Sequence, residues 1–155
     1  MILKPQPWSC LPVAFAKALD IPFEDFVSKI GHDGSEQVYK DLKFRRGFHI
    51  QECIDIAEGM GITCTPIEHH YASTPTGLET YTIGTIEEQA FRFRNYLDMT
   101  AHGVLTGIRL NKKKQSIGHA CAWVDQRVHD ARFAPYGFED RLSKCFLVNT
   151  LWRLR

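Results

Sequence analysis

The sequence predicts an α+β fold in which N-terminal helices pack on a C-terminal antiparallel sheet. Apolar residues recur at helical spacing in separate segments up to residue 60. From residue 103 onward, short apolar runs of strand character follow one another, separated by polar or turn-forming residues. Helices first and strands after is the order in which a helical layer covers one sheet. No internal repeat, linker or low-complexity segment divides the 155 residues. The chain therefore reads as one domain, residues 1–155, large enough to bury a core without staples.

Each element has a local reason. Ser9 stands where a helix cap belongs and Pro12 suits a first turn, while Leu11, Phe15, Ala18 and Leu19 recur at helical spacing, so a first helix is expected to run to about Leu19. Asp20, Ile21 and Pro22 break it. A second helix places Phe23, Phe26, Val27 and Ile30 on one face and stops at Gly31. After a loop over residues 32–36, a third helix from Ile50 to about Met60 turns Ile50, Cys53, Ile54 and Ala57 inward and ends at Gly59 and Gly61. Residues 62–67 read as a strand, with Pro66 marking it as an edge. Residues 68–85, rich in Thr, Ser, Pro, Gly and Tyr, show no period and are expected to form a long loop over a cleft or an irregular insertion. Helical spacing returns over residues 86–99, with Ala90, Phe93 and Leu97 on one stripe. Strands are expected over residues 103–110, 117–125, 126–130 and 144–151, the last apolar enough to be central. Residues 111–115, which include Lys112, Lys113 and Lys114, read as a solvated hairpin tip.

Reactive groups sit at telling positions in this scheme. Cys10 begins the first helix, within Gln6-Pro7-Trp8-Ser9-Cys10-Leu11-Pro12, and His119 follows Gly118 on a late strand. An ordinary thiol titrates near 8.5, so a nucleophilic cysteine needs a site that stabilises its anion. The amino end of a helix does so, and an imidazole within hydrogen-bond reach can hold the proton and later deliver it to a leaving group. Asp130, at the end of the following strand, is placed to orient that imidazole. Gln6 adds a side-chain amide, and Cys10 its backbone N–H, as donors to an oxyanion. Asp125 reads as a turn residue, and His129 is expected on the strand face opposite Asp130. Trp8 and Trp123, flanking the two central residues, are candidates for cleft walls or for plain core.

The run from Gln6 to Ala14, together with Gly118-His119-Ala120 and Val128-His129-Asp130, resembles the papain-like cysteine peptidase superfamily. More narrowly, it is similar to the compact bacterial branch related to peptidases that trim bacteriocin leader peptides. The resemblance implies a papain-like fold and the roles of nucleophile for Cys10, general base and acid for His119, orienter for Asp130 and oxyanion donor for Gln6. It covers about a third of the chain, at its two ends. Two features differ from that branch: the interval from Gln6 to Cys10 is shorter, and Ala131 rather than proline follows Asp130. The expected activity is cleavage of an amide bond in a peptide or protein substrate through a thioester. The same three residues also serve deamidases, transglutaminase-like enzymes and acyltransferases, or survive in an inactive binding module.

Composition bounds the remaining classes. With 44% hydrophobic and 24% charged residues and a net charge of +1, the chain has a soluble globular composition without the basic excess of a nucleic-acid binder. Five cysteines with no Cys-X-X-Cys pair and no secretory start point to free thiols in a reducing, cytoplasmic compartment. No membrane partner is expected, and oligomeric state is left open. Cys53, Cys64, His69 and His70 have metal-ligand chemistry but lack paired short spacings, so neither a metal nor any other cofactor is expected. Cys53, Cys64, Cys121 and Cys145 read as buried small hydrophobes.

Overall fold

Residues 119–124 are buried without interruption, as in a strand covered on both faces. The computed structural model, which describes residues 6–36, 47–69, 86–110, 112–113, 115–131, 133–139 and 146–155, shows what covers it. The elements are α1 (Cys10–Leu19), α2 (Phe23–Ile30), α3 (Ile50–Gly59), β1 (Cys64–Glu68), α4 (Ile86–Met99), β2 (His102–Leu110), β3 (Ser116–Val124), β4 (Arg127–His129) and β5 (Phe146–Leu154). The protein is α+β, with one five-stranded sheet in the order β1-β5-β2-β3-β4 and every pairing antiparallel.

The helix ends follow the punctuation in the sequence. Asp20 and Gly31 both take left-handed backbone and donate their N–H groups to carbonyls of the preceding turn, closing α1 and α2. At α3, His49 and Glu52 cap reciprocally: Gln51 N–H donates to His49 Nδ1 at 3.1 Å and His49 N–H to Glu52 Oε2 at 2.9 Å. Ser9 behaves differently from expectation. It occupies the cap position of α1, but with ψ 10 rather than an extended value its hydroxyl does not bond the first turn.

Two apolar clusters lie on opposite faces of the sheet. On one face α1 runs against β3, and Ala14, Ala16 and Ala18 share one apolar cluster with Ala120 and Ala122; α2 and α3 also contribute to this side, with Phe15 stacked on Phe26 at 5.9 Å. On the other face Phe93 and Leu97 of α4 cover Leu105, Cys121, Trp123 and Leu151. The expected single helical layer is therefore two layers. Burying both faces of β3 requires it, and local periodicity does not say to which face a helix goes.

In the sheet, the last strand is interior, as its apolar run predicts. β2, β3 and β4 form the expected meander, but β5 returns to lie between β1 and β2, with Leu105 opposite Leu151 and Ile67 opposite Leu151 from the other side. β1 is an edge strand and carries Pro66, as expected. Asp125 and Gln126 both have positive φ and form the tight turn between β3 and β4. Within residues 68–85, Glu68 ends β1 and His69 is buried; 70–85 lie outside the described residues, as do Cys145, Lys114 and the first part of the strand expected from residue 144. Among the described residues, no helix is long and apolar enough to cross a membrane.

Candidate active site

α1 places Cys10 in its first turn, where the backbone N–H groups of a helix have no intrahelical acceptor and the dipole favours negative charge. β3 carries His119 at the rim of the sheet, because β4 pairs only with the Ala122–Val124 end of that strand. The imidazole lies between two partners. Its Nε2 is 2.9 Å from Asp130 Oδ1, and the Cys10 thiol is within hydrogen-bonding reach of the same ring, which leaves Nδ1 as the nitrogen to meet it. The structure thus brings together Cys10, His119 and Asp130.

Burial alone would lower the pKa of His119; the hydrogen bonds to Asp130 and Cys10 outweigh it and raise it above the ordinary imidazole value. Cys10 is partly exposed. The other described cysteines differ: burial pushes Cys64 up to about 11, Cys53 higher still, and Cys121 well above the ordinary thiol value, so these three remain protonated at neutral pH. None of the four is in a disulfide.

Asp130 is 1% exposed, and its surroundings were not legible in the sequence. The chain beyond it turns at Phe133, whose N–H donates to Asp130 O, and comes back alongside β4 through a pair of backbone bonds between Val128 and Tyr136. That return brings the Tyr136 hydroxyl to Asp130 Oδ2, at 3.4 Å. Cys121, two residues from His119 and on the same strand face, brings its thiol into hydrogen-bonding reach of the same carboxylate. The ligand-type atoms of His119, Cys121 and Asp130 lie within 4.8 Å of one another, a set with metal-binding chemistry whose atoms here hydrogen-bond to each other. The aromatic run Phe133, Tyr136 and Phe138 was the available signal for this roof.

Gln6 is held by Ser9. Its side-chain oxygen accepts from the Ser9 hydroxyl at 3.0 Å and its backbone oxygen from Ser9 N–H, and Gln6 lies outside the cleft lining.

Cys10 and His119 face each other across a cleft of about 540 Å³ between the helical layer and the sheet. Trp8, Leu11, Phe48 and Ile50 line it from the helical side, and Thr106, Gly107, Gly118, Asn149 and Trp152 from the sheet. Among the described lining residues, only His119 and Cys10 are ionisable. Trp8 is fixed by its indole N–H to Asp33 O at 2.9 Å, and Trp152 by its own to Thr106 Oγ1 at 3.0 Å. The loop at residues 32–36 supports the wall from behind: Gly34, at φ +74, packs so closely that a Cβ would meet Trp8 and Phe48 at 2.9 and 3.0 Å. Trp123 is core instead, its indole N–H donating to the carbonyls of Leu97 and Thr100.

Other candidates separate. His129 turns to the opposite face, as alternation requires, and meets Val124 O. Cys53 and Cys64 belong to the α1–α3 side of the sheet, whereas His69 packs edge-on against Phe93 on the α4 side, so these do not form one cluster; His70 lies outside the described residues. Compared with protein-family models, curated proteins and solved structures, the chain finds no match in any of the three.

Proposed function

We propose that the protein is a papain-like cysteine peptidase that cleaves an amide bond of a peptide or protein substrate. The observation that carries this reading is His119 held between the Cys10 thiol and a buried Asp130 at the mouth of a cleft. Support for the papain-like fold is the arrangement itself, with a cysteine at the amino end of a buried helix and a histidine on the antiparallel sheet it packs against.

In the first half-reaction Cys10 Sγ attacks the carbonyl carbon while its proton rests on His119. The oxyanion lies at the amino end of α1, with the Cys10 backbone N–H as donor. Collapse breaks the C–N bond, His119 gives the proton to the departing amine, and a thioester remains. His119 then takes a proton from water, which attacks the thioester, releases the acid and returns the thiol. Asp130 accepts from Nε2 throughout and steadies the imidazolium. The tryptophan- and phenylalanine-walled lining of the described residues suits an apolar acyl portion, and free thiols suit a reducing compartment.

Labelling with a peptide-like thiol alkylator tests the reading. At mildly acidic pH, Cys10 is expected to react well ahead of the other four cysteines, and His119→Ala to remove that advantage. Equal labelling of all five overturns it.

A further inference from the structure

On the peptidase reading, the machinery extends beyond three residues. We infer that Cys121 and Tyr136 are positioning residues: buried hydrogen-bond donors that hold the Asp130 carboxylate in place against His119. Asp130 Oδ1 takes His119 Nε2 at 2.9 Å, Oδ2 takes the Tyr136 hydroxyl at 3.4 Å, and the Cys121 sulfur sits within the same 4.8 Å cluster. An ionised carboxylate accepts only, so it needs donors from neighbours that do not themselves ionise. Both neighbours meet that need: burial raises the Tyr136 hydroxyl and the Cys121 thiol, so each keeps its proton at neutral pH.

The backbone shows that the arrangement is built. Val128 and Tyr136 exchange N–H···O bonds of 2.7 and 3.1 Å, which fixes the returning chain beside β4 and closes Asp130 off from water. In such a site a carboxylate with one partner has room to swing; with three it has a single orientation. Among the described residues, the titratable and charged groups facing this network are Cys10 from α1, Arg109 from β2, His119 and Cys121 from β3, and Tyr136 from the return. Arg109 acts at a distance, opposing the upward shifts of Cys121 and Tyr136 while its guanidinium lies over the Phe133 ring.

The test reads two quantities on the whole protein: the rate of Cys10 carboxamidomethylation by iodoacetamide against pH, and the titration of the His119 ring by NMR. Loosening Asp130 weakens its hold on the imidazolium, so the acid edge of Cys10 reactivity moves up and the ring titration moves down. Tyr136→Phe and Cys121→Ala are each expected to shift both by about half a pH unit, with Cys121→Ser, which restores a donor, recovering part of the change. Variants that fold but leave both curves where they were, losing only thermal stability, show packing and overturn the inference. If wild-type Cys10 has no thiolate advantage, the peptidase reading fails, and the ring titration still decides whether Tyr136 and Cys121 act through Asp130.

Discussion

His119 Nε2 and Asp130 Oδ1 stand 2.9 Å apart, with both side chains closed to solvent. The bond crosses from the strand that bears the imidazole to the residue just past the end of the next one, and it removes most of the ring's freedom. Asp130→Asn keeps the shape but removes the charge. It is expected to reduce Cys10 alkylation about 10-fold or more while retaining most of the stability. Asp130→Ala leaves three buried donors facing a hole and is expected to lower the unfolding free energy by about 1–3 kcal/mol. Urea unfolding beside alkylation rates separates the two effects, and an alanine variant equal to wild type in both would sink the assignment.

Stability should carry the mark of His119. Its pKa in the folded protein lies above the ordinary 6.5, so the native state holds the proton more tightly than the unfolded chain. The resulting stabilisation is complete below about 6.5 and fades as pH rises through the folded value. The difference in unfolding free energy between wild type and His119→Gln should therefore shrink as pH rises above about 6.5 and through the folded value. His129 has the opposite sign, since burial lowers it, but it is present in both proteins and cancels. A difference that grows with pH contradicts the arrangement.

Two glycines beside His119 should respond in opposite ways. Gly107 pairs with His119 across β2 and β3, next to the register shift against β5, and a Cβ there would stand 2.0 Å from Leu147 O. Gly107→Ala is expected to destabilise by more than about 2 kcal/mol, because backbone must move. A Cβ at Gly118 would meet no heavy atom within 4 Å. Gly118→Ala should fold normally yet place a methyl group in the cleft, slowing a peptide-like alkylator more than iodoacetamide. Denaturant midpoints and the ratio of the two labelling rates give the comparison.

Much of the scaffold was legible because its signals are local. The helix over Ile86–Met99 follows from spacing alone, the stops at Asp20 and Gly31 from residues that tolerate positive φ, and the edge character of β1 from Pro66. The meeting of Cys10, His119 and Asp130 was also within reach, since each sits at the end of an element or behind a glycine. Relationships set by packing were hidden. That α4 crosses to the far face, that Trp123 belongs to the core, and that β5 slots between β1 and β2 depend on which apolar surfaces find each other. Tyr136 meets Asp130 only because a backbone pair with Val128 turns the chain back, and no short-range pattern records that.

The position of β5 reaches into the protein's synthesis. A ribosome must finish this strand before β1 and β2 acquire the partner that joins them, and before His119 gains the Phe146 ring that packs edge-on against it at 5.0 Å. The sulfur at the start of α1 precedes that strand by more than a hundred residues, so Cys10 is made well before the His119 ring gains this packing partner. The pairing of Cys10 with a fixed imidazole is thereby tied to the synthesis of β5.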